Sequence, residues 1–295
     1  MGPRFIASLS LLLALAAGGL LWLSGQDFGG ADATTSEPTT SAKPPPVPTD
    51  VKCPSSTSAP DGPSDLPAHP VVVRLCAGPG IATPMPADAL TEGIASVVAA
   101  INGQKAISPP DACNLDLGAG YILAFRYRDG STAYATGMLY GCHVLTVGHT
   151  VYADARAPLT AFTAALWRQR AGGTPPTDVH APRACSAPSA SLVAKPAQIE
   201  LGRLCLANGA HRGTAMTPSQ VQEVVHDWAT GGSGHAMAPL SCRSNADWRL
   251  EGVTAWGDPV QLASVCGLFT DDNGNFWHPS PSVQQLLTTL EARAA

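Results

Sequence analysis

Arg74-Leu75-Cys76 and Arg203-Leu204-Cys205 repeat one tripeptide 129 residues apart, and each is followed 37 residues later by another cysteine, Cys113 and Cys242. Working outward, Cys53 and Cys142 flank the first pair, and Cys185 and Cys266 flank the second. This rhythm predicts an internal duplication, with four cysteines in each copy. An even cysteine count fits disulfides in an oxidising compartment, whereas cytosolic cysteines more often serve metals or redox chemistry. No Cys-x-x-Cys occurs to support the second use. Four cysteines allow three pairings. The shared interval favours Cys76–Cys113 and Cys205–Cys242, loops worth about 3–4 kcal/mol each in the loop-entropy picture, which leaves Cys53–Cys142 and Cys185–Cys266.

Around the cysteines the two copies read in parallel. Val71–Cys76 and Ile199–Cys205 carry strand signals. Leu90, Ile94, Val97, Val98 and Ile101 then share a helical face, with Pro86 near the start and Gly103 near the end. In the second copy Thr217, Pro218 and Gln220 form a capping box, followed by the stripe Val221, Val224, Val225 and Trp228. A hairpin follows in each, turning at Asp129-Gly130 and near Gly257-Asp258, with Asp129 and Asp258 again 129 apart. Residues 143–148 predict a further strand in the first copy. Leu159, Phe162 and Leu166 close that copy as a helix, and Val283, Leu286, Leu287 and Leu290 close the second. The expected class is α+β: two tandem disulfide-tied repeats of roughly β-α-β-β-(β)-α, with helices on one face of a small sheet.

The repeats divide the chain into residues 1–25, a signal-anchor or signal peptide; 26–70, a disordered linker containing Cys53; 71–170, repeat one; 171–198, a second linker containing Cys185; and 199–295, repeat two. Phe5 to Leu23 carries no charge or proline, and as a helix it would be about 28 Å long, close to a bilayer core. Arg4 before it and Asp27 after it predict a cytoplasmic N-terminus. Two outcomes are open: an uncleaved anchor, or a cleaved signal with Ala31-Asp-Ala33 as a small-residue cleavage site. Both export the remainder. The Pro-, Ser- and Thr-rich stretch from Gln26, including Lys43-Pro-Pro-Pro-Val-Pro48, reads as an extended spacer. Net charge is −5 with no basic cluster, which excludes nucleic acid as a partner class.

Few residues point to chemistry. Val144-Leu-Thr-Val-Gly-His149 resembles the histidine motif of trypsin-like serine proteases, and Gly231-Gly-Ser-Gly-His235 resembles their nucleophile loop. That resemblance implies Ser233 activated by His149, with Asp178 orienting the imidazole. Against it stand a short His-to-Ser interval, a Pro-rich stretch inside that interval, and the absence of an aspartate before Ser233. Asp271-Asp-Asn-Gly-Asn275 has the alternating oxygens of a calcium loop, but Phe276 and Ser282 stand where an EF-hand needs glycine and glutamate, so a hairpin turn is the expectation. The eight histidines show no metal spacing, and His226 reads as helix surface. Trp228, Trp248, Trp256 and Trp277 read as core, or as an aromatic groove for a partner or glycan. No metal or other cofactor is expected.

Val73-Arg-Leu-Cys76, Ala87-Asp-Ala-Leu-Thr91, Tyr127-Arg-Asp-Gly130 and Leu139-Tyr-Gly-Cys142, in an Ala-rich and Lys-poor chain, resemble uncharacterised membrane-anchored exported proteins of actinobacteria. The resemblance implies a cell-envelope setting and supplies no activity. The expected function is a non-catalytic binding module for an envelope protein or glycan, tethered through the N-terminal helix or secreted after cleavage. Tandem copies would suit bivalent recognition. The alternative is an exported hydrolase using His149 and Ser233.

Overall fold

Two antiparallel sheets, each backed by two helices, account for the described part of the chain. The structure is a computed structural model that describes residues 47–56, 62–185, 190–206, 212–231, 248–265, 267–271 and 275–294. The apolar run from Phe5 to Leu23 lies outside them, and no helix among the described residues is long and apolar enough to cross a membrane. Residues Pro46–Ala295 make one compact unit.

In the first half, the elements are β1 (Val72–Gly80), α1 (Ile94–Asn102), β2 (Ala106–Ile107), β3 (Ala119–Arg126), β4 (Thr132–Met138), β5 (Leu145–Val147), β6 (Thr150–Tyr152) and α2 (Arg156–Ala171). The sheet order is β1-β3-β4-β5-β6-β2. Alternation explains its two faces: Val73 and Leu75 pair with Phe125 and Leu123, and all four point to a core shared with Ile101 of α1 and Phe162 and Leu166 of α2. Tyr121 is buried there and donates its hydroxyl to the Ala155 carbonyl at 2.5 Å, which brings α2's start onto β3. Burial, with Asp154 adding to it, raises the Tyr121 pKa well above that of an exposed phenol. On the opposite face Val72, Cys76, Ile122 and Ala124 are covered by Val51.

The second half holds β7 (Ile199–Leu206), β8 (Gly213–Ala215), α3 (Pro218–Thr230), β9 (Trp248–Thr254), β10 (Pro259–Val265), β11 (Leu268–Thr270), β12 (Phe276–Trp277) and α4 (Pro281–Ala294). Its sheet order is β12-β11-β10-β9-β7-β8. The capping box forms as expected: the Gln220 amide donates to Thr217 Oγ1 at 3.3 Å, and the Thr217 amide donates to Gln220 Oε1 at 2.9 Å. Val221, Val224 and Trp228 are the buried stripe of α3, packed with Phe269, Trp277 and Leu287.

Several expectations need correction. Three bridges are formed among the described residues: Cys53–Cys76, Cys113–Cys142 and Cys185–Cys205, with Cα separations of 5.6, 4.8 and 5.6 Å, within disulfide reach. The expected Cys76–Cys113, Cys53–Cys142 and Cys185–Cys266 pairings are therefore replaced. Cys205–Cys242 is replaced as well, because Cys205 is taken by Cys185. The reason is local: Cys76 lies on the outer face of β1 under the segment carrying Cys53, while Cys113 lies beside the β4–β5 turn. Leu90 is not in α1. It pairs with Val73 in an isolated bridge, and Gln169 Oε1 accepts from the amides of Thr91 and Glu92 just before the helix.

Parts of both stretches read as linkers are packed. Val51 and Leu66 are buried in the first. In the second, Val193 is buried, its carbonyl accepts from Trp167 Nε1 at 2.7 Å, and the Ser191 amide donates to the Pro259 carbonyl at 2.9 Å. Leu192 and Val193 supply the apolar anchor that a Pro- and Ser-rich composition hides.

Candidate functional site

The protease-like residues occupy ordinary structural positions. Gly148 and His149 form the two-residue turn between β5 and β6, and His149 is exposed. Asp178 is an exposed turn residue after α2, and Ser233 lies outside the described residues. Among the described residues His149 and Asp178 make no hydrogen bond to each other. The Asp271 turn behaves as a hairpin closure: Asn275 donates its amide to Asp271 Oδ1 at 2.9 Å and its side-chain amide to Oδ2 at 2.8 Å. Residues 272–274 lie outside the described part. No group of three or more His, Cys, Asp or Glu side chains placed to hold a metal ion occurs among the described residues. His226 is exposed on α3.

The tryptophans divide. Trp228, Trp277 and Phe269 pack together, with centroids 5.7 Å apart for Trp228–Trp277 and 5.3 Å for Phe269–Trp277. Trp248 stacks on Phe269 at 6.3 Å and donates its ring N–H to Glu291. Trp256 has another task. With Trp167 it flanks the guanidinium of Arg170, at 5.2 and 4.7 Å to the ring centroids.

Arg170 is a buried charge. Its residue is only 3 % exposed, at the end of α2. Nη1 donates to Asp258 Oδ2 at 2.5 Å, while Nη2 and Nε hold both oxygens of Asp88 at 2.6 and 3.0 Å. Asp258 sits in the β9–β10 turn, fixed further by Thr254. Burial works against the Arg170 charge, but Asp88 and Asp258 outweigh it and raise its pKa. This cluster joins α2 of the first half to a hairpin of the second, with sequence separations of 82 and 88 residues. It reads as a structural clasp.

Three of the six exposed large apolar side chains among the described residues gather elsewhere. Leu117 is 85 % exposed, Ile81 51 % and Met138 39 %, and all three line adjoining clefts of about 340 and 390 Å³. Both volumes lie in the range of small-ligand sites. They share Ile81, Leu117, Gly118, Ala119, Leu139 and Tyr140, so they form one continuous groove. Its first lobe adds Arg156, Leu159, Ser191, Val260 and Gln261; its second adds Gly80, Asp116 and Met138. The wall from Asn114 to Leu117 is held by the Cys113–Cys142 bridge. Gly118 is required beneath Tyr140, because a Cβ there would stand 1.9 Å from the ring's Cδ2. Nothing in the sequence marked this groove: its residues come from seven separated segments, and their only local signal is the pair of leucines flanking Asp116 in a polar loop.

Comparison with known proteins gives no support from outside the chain: no family model, curated protein or solved structure matches it.

Proposed function

We propose that this chain is a non-catalytic binding module of the extracytoplasmic space, and that its ligand seat is the groove beside the Cys113–Cys142 loop. The observation that carries the reading is the placement of Ile81, Leu117 and Met138, apolar and exposed, along one concavity of ligand size. Monomeric proteins rarely leave such a surface without a use. Three disulfides support an oxidising compartment, and the uncharged run at Phe5–Leu23 supports export and a membrane tether.

We further propose that the two halves are tandem copies. Both sheets contain the same five-strand meander, β1-β3-β4-β5-β6 and β7-β9-β10-β11-β12. The buried Ile94, Val97 and Ile101 of α1 match Val221, Val224 and Trp228 of α3 at an offset of 127 residues. The hairpin turns match at the same offset: Tyr127 and Thr254 each donate an amide to a carbonyl four residues on, at 3.0 Å, with Gly130 and Gly257 at φ of 88° and 81°. Asp258 thus stands where Ser131 does, rather than at the place of Asp129. From β5 the offset becomes 124, relating Leu145 to Phe269, and the same interval separates Cys142 from Cys266 in the sequence. Extended to the second copy, the pairing rule of the first joins Cys242 to Cys266, both outside the described residues.

The groove reading is tested with a neutral apolar dye, Nile red, on the exported full chain. Binding with a fluorescence increase is expected, weakened about tenfold by Leu117→Asp. Ile107→Asp, at an exposed apolar residue of β2 away from the groove, is expected to leave binding unchanged. No dye binding, or equal loss in both variants, contradicts the reading.

A further inference from the structure

The charges around the groove are unequally satisfied, and that inequality points to a ligand class. Asp271 accepts two hydrogen bonds from Asn275, and Asp116 accepts from the Asn114 side chain at 2.6 Å. Arg74, Arg170 and Arg249 each hold a carboxylate. Arg156, like the exposed Arg128 and Arg168, makes no side-chain hydrogen bond or ion pair among the described residues, but it alone of the three lines the first lobe. Tyr140 and Gln261, which line the same lobe, likewise have side-chain polar atoms without a partner among the described residues. Leu139, Leu159 and Val260 make the lobe's apolar wall.

We propose that this lobe seats the carboxylate end of a peptide with an apolar terminal side chain. The inference rests on the groove being the ligand seat. Arg156 meets the terminal carboxylate, since a guanidinium presents paired donors that match its two oxygens. Leu139, Leu159 and Val260 cover the terminal side chain, while Tyr140 and Gln261 bond the last peptide groups. An alkyl chain would leave those two polar tips unpaired at a cost in affinity. The preceding residues run past Tyr140 into the second lobe, over Ile81, Leu117 and Met138. A phosphate is disfavoured. It would draw on the amides at the start of α2, but those of Arg156 and Ala157 already donate to Asp154 Oδ1, at 2.7 and 3.1 Å.

The test is titration calorimetry of the full exported chain with acetyl-Ala-Ala-Leu-Leu as the free acid and as the C-terminal amide, with dodecanoate as the alkyl carboxylate. The acid is expected to bind at least about tenfold more tightly than the amide and than dodecanoate. Arg156→Gln is expected to abolish the acid–amide difference, and Arg156→Lys to keep part of it, with the thermal midpoint of both variants unchanged. Equal binding of acid and amide overturns the carboxylate role. Dodecanoate binding as tightly as the acid overturns the peptide assignment. If Nile red binds and neither peptide does, this inference fails while the groove reading stands; if the dye also fails, both fall.

Discussion

Replacing Arg170 with leucine is expected to destabilise the protein by about 3–5 kcal/mol, because it strands a buried carboxylate rather than merely deleting a bond. Asp258 has a side chain only 2 % exposed, and its nearest cation is Arg170. Without the guanidinium, burial continues to oppose its ionised form and no opposite charge remains to hold it. The loss extends to packing, since the Arg170 guanidinium lies against the rings of Trp167 and Trp256. Those two rings contribute to the readout: urea unfolding followed by tryptophan fluorescence should show a lowered midpoint. Combining Arg170→Leu with Asp258→Leu should recover part of the loss, because removing both charges also removes their desolvation cost. A single variant within 1 kcal/mol of the parent would mean that the clasp contributes little to holding the halves together.

Removing the Cys53–Cys76 bridge in a Cys53→Ala, Cys76→Ala double variant is expected to cost about 3 kcal/mol, the scale for a loop of this size. The bridge spans 23 residues and fastens the segment around Val51 across the outer face of the first sheet. Once released, that segment leaves Val72, Ile122 and Ala124 with less cover. Two measurements follow: a lower urea midpoint, and new trypsin cleavage at Lys52, which is already exposed beside the bridge. An unchanged midpoint with Lys52 still protected would show that packing of Val51 suffices without the covalent tie.

Local signals carried most of the secondary structure. The Thr217 capping box, the glycine turns at Gly130 and Gly257, and the 3.6-period stripes of α1, α3 and α4 all act within a few residues, so the sequence displays them directly. The disulfides were misread for a physical reason. The interval of 37 residues is equal in both halves, yet in the proposed duplication the helices and hairpins are matched at 127 and not at the 129 that separates Cys113 from Cys242. Equal spacing there is the sum of unequal loops, and what decides pairing is which backbone face each cysteine occupies. Arg170 and its two aspartates were invisible because contacts spanning more than 80 residues leave no periodic trace. The groove was hidden likewise, being assembled from segments that each look like ordinary loop or strand end.

Disulfide mapping of the exported protein, by non-reducing proteolysis and mass spectrometry, tests most directly the claim that two copies of one stapled unit carry this groove. The account predicts Cys53–Cys76, Cys113–Cys142, Cys185–Cys205 and Cys242–Cys266, each copy joining its first cysteine to its second and its third to its fourth. A bridge crossing between residues 53–142 and 185–266, or free thiols at Cys113 and Cys142, would contradict it.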